Sequence, residues 1–155
     1  MKIRHILIAT GLGLGFSPIA PGTVGALGGC LIAYLLTQYT VFHVLVLASL
    51  IVLFFFLGVY SSNKLEPVWG KDPSKIVIDE VVGMWIALLM IPSGWIYSVA
   101  AFILFRFFDI YKPLFINKME NLKGGWGIMM DDVLAGIYAN VIIQLFSLIK
   151  TGIHG

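Results

Sequence analysis

The chain has 155 residues, of which 59% are hydrophobic and 12% charged, with a formal net charge of +2. Soluble domains carry roughly 25% charged residues, so this composition excludes an ordinary soluble domain, which has no other means of covering its apolar surface in water. The small net charge points to no nucleic-acid partner.

The charges are also unevenly spread. No Lys, Arg, Asp or Glu occurs between Arg4 and Lys64, between Glu80 and Arg106, or between Asp132 and Lys150. The expectation is an all-α fold: a polytopic integral membrane helical bundle, with residues 1–155 as one domain. Cys30 is the single cysteine. It has no disulfide partner and no zinc-type spacing, so it is read as a helix-packing residue.

The N-terminal "MKIRHILIATGLGLGF" has the basic start and short apolar run of a signal peptide, but no clean small-x-small cleavage site follows. It is read as retained. After the Pro21-Gly22 turn, Thr23 suits the N-cap of a helix over 24–39. A second apolar run covers 42–62, close enough to make a hairpin with the first. His43 falls at its tip and is read as interfacial, since no second His or Cys stands at ligand spacing. Residues 63–74 read as a polar loop that ends in an N-cap, Asp72, and an N1 proline, Pro73. The next helix is expected over 73–91, roughly 28 Å long and enough to cross a bilayer core. "IPSG", residues 91–94, breaks the chain. A return helix is expected over 95–111, stopped by Pro113, then a loop, then a last helix from about 128 or 131 to 150. That makes about five crossings of the length a bilayer requires, in two hairpins plus a C-terminal helix. Lys and Arg gather at 2–4, 64–75, 106–112 and 118–123, all on one face, which the positive-inside rule makes cytoplasmic. Lys150 lies on the other.

The same face receives nearly all the carboxylates. Asp79 and Glu80 are expected about two turns into the third helix, Asp109 near the end of the fourth, and Asp131 and Asp132 at the start of the fifth. Neighbouring helical residues point about 100° apart, so each acidic pair can aim one carboxylate at a shared centre. Carboxylates brought together repel one another unless a cation joins them. An all-oxygen set suits Mg2+, or Mn2+, which pairs one or two carboxylates with phosphate and water. Arg106 stands i,i+3 from Asp109, and Asp109 i,i+3 from Lys112. A guanidinium suits bidentate phosphate binding, and Lys75 and Lys123 are further cationic candidates. Two glycine-rich stretches face the same side, residues 11–23 and "KGGWG", 123–127. Their backbone N–H groups can cradle phosphate, although packing turns account for them equally well.

Blander readings exist for some of these residues. Asp131 and Asp132 also suit a helix N-terminus, where the dipole favours acids. Arg106 and Lys112 also suit interfacial anchoring. Asp79 and Glu80 resist such an account, because acids inside membrane helices are rare and functional by default. Gly83 and Gly136, about one turn beyond the acidic pairs, would let the helices approach closely there.

Four stretches, "GFSPIAPGTVGAL" (15–27), "DPSKIVIDEVVGMWIAL" (72–88), "FRFFDIYKP" (105–113) and "GGWGIMMDDVLAGIYAN" (124–140), resemble the phosphatidylglycerophosphatase A family of bacterial membrane lipid phosphatases, in the family's order. The resemblance implies a Mg2+-dependent enzyme of the bacterial inner membrane, multi-pass, with its site facing the cytoplasm. It would convert phosphatidylglycerophosphate to phosphatidylglycerol and phosphate, taking its phospholipid substrate from the bilayer. Asp79, Glu80, Asp109, Asp131 and Asp132 would be the catalytic and metal-holding residues. Arg106, Lys112, Lys123, Ser17 and Thr23 would contact substrate. Either a carboxylate acts as general base or an aspartyl-phosphate forms. The competing class is a transporter or channel, in which membrane acids mark a cation pathway.

Overall fold

A computed structural model describes residues 3–71 and 73–154, and among them helices without a strand. The helices are α1 (Ile3–Ala9), α2 (Pro21–Tyr39), α3 (His43–Trp69), α4 (Ile78–Leu88), α5 (Trp95–Tyr111), α6 (Ile116–Met119) and α7 (Gly125–His154), with a 3-10 turn at Leu14–Phe16. α3 and residues Gly125–Thr151 of α7 are long and apolar enough to cross a membrane.

Several boundaries differ from the sequence expectation. α2 begins at Pro21, after Ala20 in a left-handed conformation (φ 44°). Proline has no N–H to leave unsatisfied in a first turn, so Thr23 lies inside the helix and caps nothing. α3 runs on to Trp69, so most of the expected 63–74 loop is helical, and it ends at Gly70 with φ 91°. The expected N-cap at Asp72 lies outside the described residues.

The largest correction concerns α4. It holds 11 residues, Ile78–Leu88, in place of the expected 73–91. Eleven residues rise about 16 Å, half of what a bilayer core needs. The chain before it is a turn, in which the Ile76 amide donates to Pro73 O (2.9 Å), and the Val77 amide donates to Ala9 O at the end of α1 (2.9 Å). Three β-branched residues in a row, Ile76, Val77 and Ile78, lower helix propensity there, and a partner on α1 captures the Val77 amide.

α4 is the hub of the bundle. Ile78, Val81, Val82, Met84, Trp85 and Ala87 are all buried. α2 lies along it through small residues: a Cβ at Gly25 would stand 2.8 Å from Val77 Cβ, and one at Gly29 3.2 Å from Val81 O. The Trp85 indole N–H donates to Gly29 O (3.0 Å), which locks the two helices. α7 crosses the other side of α4 even more tightly. A Cβ at Gly136 would meet Gly83 O at 2.3 Å, and one at Gly83 would meet Asp132 O at 2.7 Å. The glycine pair therefore brings the two backbones into contact, as its spacing beyond the acids predicts.

The same contacts give directions. α2, α4 and α7 run one way and α3 and α5 the other, so one end of the bundle collects the starts of α2, α4 and α7 and the ends of α3 and α5. α1 packs against α3, with the His5 ring edge-on to Tyr60 and its Nδ1 3.5 Å from Ser61 Oγ. The outward faces of the long helices are apolar: Leu31, Phe56, Ile103 and Phe146 are each more than half exposed.

Candidate active site

At the end where the helices collect, Asp79 and Glu80 from α4 and Asp132 from α7 each offer a carboxylate oxygen within 4.8 Å of the others. Their helical settings are the reverse of the sequence expectation. Asp79 and Glu80 stand in the first turn of α4, where a helix dipole favours acids. Asp131 and Asp132 lie about two turns inside α7, because α7 starts at Gly125 and not at 128 or 131. Its first turn is held by another helix: Asn63 Oδ1 on α3 accepts the Gly125 amide (2.8 Å). A Cβ at Gly125 would stand 2.3 Å from Val59 O. Gly125 of "KGGWG" is thus a helix-packing residue, with its amide taken by Asn63.

The two acidic pairs behave differently: Asp79 and Glu80 both face the cluster, whereas Asp131 and Asp132 part. Asp79 Oδ1 accepts the Glu80 amide (3.1 Å), and Asp131 Oδ1 accepts the Asp132 amide (3.0 Å). Asp132 then points into the cluster. Asp131 turns to Lys112, whose ammonium donates to Asp131 Oδ2 (2.7 Å) and lies 3.5 Å from Glu120 Oε1. Of the five predicted acids, Asp79, Glu80 and Asp132 form the cluster. Asp109, on the last turn of α5, adjoins Glu80 and Asp132. It is also paired with Arg106, whose guanidinium donates to Asp109 Oδ2. Asp131 belongs to the Lys112 network.

Among the predicted substrate-contacting residues, Arg106 reaches the cluster. Lys112 is engaged by Asp131 and Glu120. Lys123 is exposed. Ser17 closes a local turn, its hydroxyl donating to Ile19 O (2.9 Å). Lys75 stands over the Trp69 ring, 5.8 Å from its centre. Thr23 sits in the first turn of α2, beside Gly22, which the sequence reading has as part of a turn and of the glycine-rich stretch 11–23: a Cβ there would lie 2.2 Å from Glu80 Oε1 and 3.3 Å from Arg106 Nη1. The start of α2 is therefore a wall of the site. Gly22→Ala is expected to displace the Glu80 carboxylate, a movable side-chain end, and so to lower kcat about tenfold with little change in thermal stability. Paired rate and melting measurements on the purified variant check this.

The donors suit a cation and an anion together. Among the described residues, four buried polar side-chain atoms have no hydrogen-bond partner: Glu80 Oε2, Asp132 Oδ1, Arg106 Nε and Ser62 Oγ. Three of them belong to residues of this site. A buried polar atom left unpaired costs about 1–3 kcal/mol. Two such carboxylate oxygens suit a hard divalent cation, and the guanidinium N–H suits an anionic oxygen.

The sequence matches the family model described as Phosphatidylglycerophosphatase A over residues 7–147. It is 54% identical over 147 residues to a Bacteroides thetaiotaomicron protein named putative phosphatidylinositol-3-phosphatase, with 90% of this chain and 91% of that one covered. It is 44% identical over 140 residues to phosphatidylglycerophosphatase A of Haemophilus influenzae, covering 88% and 85% of the two chains. With phosphatidylglycerophosphatase A of Escherichia coli it shares 40% over 142 residues, 88% and 80% of the chains. No solved structure matches it.

Proposed function

The chain belongs to the phosphatidylglycerophosphatase A family, and from that premise we propose that it hydrolyses the terminal phosphate of phosphatidylglycerophosphate, in a Mg2+-dependent reaction, to phosphatidylglycerol and inorganic phosphate. The observation that carries this reading is the cluster of Asp79, Glu80 and Asp132 carboxylates, with Glu80 Oε2, Asp132 Oδ1 and the neighbouring Arg106 Nε buried and unpartnered, a set that suits a cation and a phosphoryl group side by side.

Asp79, Glu80 and Asp132 would hold the ion, Mg2+ or Mn2+. Bound there, it supplies Lewis-acid polarisation of the phosphoryl group. Arg106 offsets charge on the phosphoryl oxygens as it builds in the transition state. Asp109 orients the guanidinium and takes the proton of the attacking water. The water oxygen bonds to phosphorus, the P–O bond to glycerol breaks, and the departing alkoxide takes the proton that Asp109 removed from the water, leaving the free hydroxyl. The starting end of α2, at Gly22 and Thr23, closes the site on one side.

The chain is proposed to span the bacterial inner membrane several times, with this end of the bundle at the cytoplasmic face, where lysines and arginines gather. The apolar outer faces of α2, α3, α5 and α7 support that setting. The acyl chains of the substrate would stay in the bilayer while water arrives from the cytosol. A transporter is not favoured: the carboxylates gather at one end of the bundle, whereas a pathway needs them along its length.

The test is phosphate release from phosphatidylglycerophosphate by purified protein in detergent. Activity is expected with Mg2+, loss of nearly all of it with EDTA, and recovery on adding excess Mg2+ or Mn2+. Folded protein that releases no phosphate with metal present sinks the proposal. The name carried by the 54% identical relative supports a second substrate, a phosphatidylinositol 3-phosphate. It is also a phosphomonoester on a lipid headgroup, and the higher kcat/KM in the same assay decides between the two.

A further inference from the structure

α4 stops sooner than its sequence directs. Residues 87–90, "ALLM", are strong helix formers, yet the helix ends at Leu88. Leu89 is extended, and Met90 is left-handed with φ 57°. The last carbonyls of a helix have no partner within it, and in apolar surroundings they need one. The partner comes from α7. The Asn140 side-chain amide donates toward Ile86 O (3.1 Å), Ala87 O (3.2 Å) and Leu89 O (2.7 Å). Its own oxygen accepts the Gln144 side-chain amide (2.8 Å), which fixes the NH2 toward α4.

Asn140 is in step with the acidic centre. Asp132, Gly136 and Asn140 recur every fourth residue along one stripe of α7. Asp79, Gly83 and Ala87 do the same along α4. The two helices run in parallel, so the stripes match level by level, with acids at one end, the glycine contact in the middle and Asn140 on the α4 terminus at the other. Eight residues, about 12 Å, separate the outer levels on each helix. The glycine contact fixes α4 on α7 at a single level. Asn140 adds a second fixed point on the same stripe.

We infer that Asn140 is a positioning residue: by holding the C-terminal end of α4 on α7 it sets how Asp79 and Glu80 meet Asp132. This rests on the reading of those three acids as the reaction centre. Misplacing reacting groups by about 1 Å can cost 100-fold in rate, so the end of α4 remote from the chemistry controls it.

The test uses the full-length protein in detergent, with Asn140→Leu, which removes the donors at similar volume, and Gln144→Leu. Gln144 is exposed, so the second variant keeps the test open if the first does not fold. Asn140→Leu is expected to lower kcat by about 10- to 100-fold with KM within about twofold, and to weaken Mn2+ binding, read by electron paramagnetic resonance, about tenfold. Gln144→Leu is expected to show the same pattern at a few-fold. Melting curves are taken alongside. A folded variant with a lower melting temperature but parental kcat and Mn2+ affinity makes Asn140 a stability residue only and overturns the inference. Variants that match the parent throughout overturn it too. A parent that neither releases phosphate nor binds Mn2+ overturns the reading of the centre, and this inference with it.

Discussion

Asp132→Asn is expected to lower kcat roughly 100-fold or more, the scale of losing one preorganised electrostatic contact at a reacting phosphoryl group. Its neighbour Asp131→Asn is expected to lower kcat about tenfold at most, because that side chain acts through Lys112. The two acids are adjacent and chemically identical, so the contrast isolates orientation. Asp132 joins the cluster and has a buried Oδ1 with no hydrogen-bond partner, while Asp131 Oδ2 takes the Lys112 ammonium at 2.7 Å. Asp132→Asn should also leave the fold intact, since it removes one of several mutually repelling carboxylates. Phosphate release and melting curves on both purified variants check this. Equal losses, or a larger loss for Asp131→Asn, would mean that the acid facing the substrate has been misassigned.

Gly136→Ala should act through stability first. The new methyl would stand 2.3 Å from Gly83 O, and the opposing atom is backbone. Neither helix can yield locally, so α4 and α7 must part. Overpacking of that kind costs about 3 kcal/mol, and the helix propensity gained by alanine returns about 1 kcal/mol of it. The net loss is then about 2 kcal/mol, read as an earlier unfolding midpoint in a mixed-micelle titration. Because Asp132 O lies against Gly83 on the same crossing, parting the helices also separates Asp132 from Asp79 and Glu80, and kcat should fall with stability. An unchanged midpoint would show that the helices have room the structure does not give them. Gly22→Ala is the counterpart: its methyl meets a carboxylate end that can swing away, so rate should fall while stability holds.

The sequence by itself determined the helical class, the order of the long helices and the five acids from which the cluster is drawn. Sparse charge, long apolar runs and the breaks at Pro21-Gly22, at 91–94 and at Pro113 are local signals, and local signals survive without knowledge of the fold. The closeness of Gly83 and Gly136 was legible too, since small residues one turn beyond paired acids permit contact. Asn140 was visible as a polar residue in the apolar run "GIYANVII", but its partners are carbonyls on another helix, and no spacing along α7 reveals them. Only the tertiary structure decided where α4 begins and ends, because Ala9 O captures the Val77 amide at one end and Asn140 satisfies the freed carbonyls at the other. The start of α7 is likewise decided by Asn63 of α3. Those contacts between distant segments set the helix ends, and the helix ends set which acids face inward. That is why Asp79 and Glu80 lie in a first turn, Asp131 and Asp132 lie two turns deep, and Asp132, not Asp131, completes the centre.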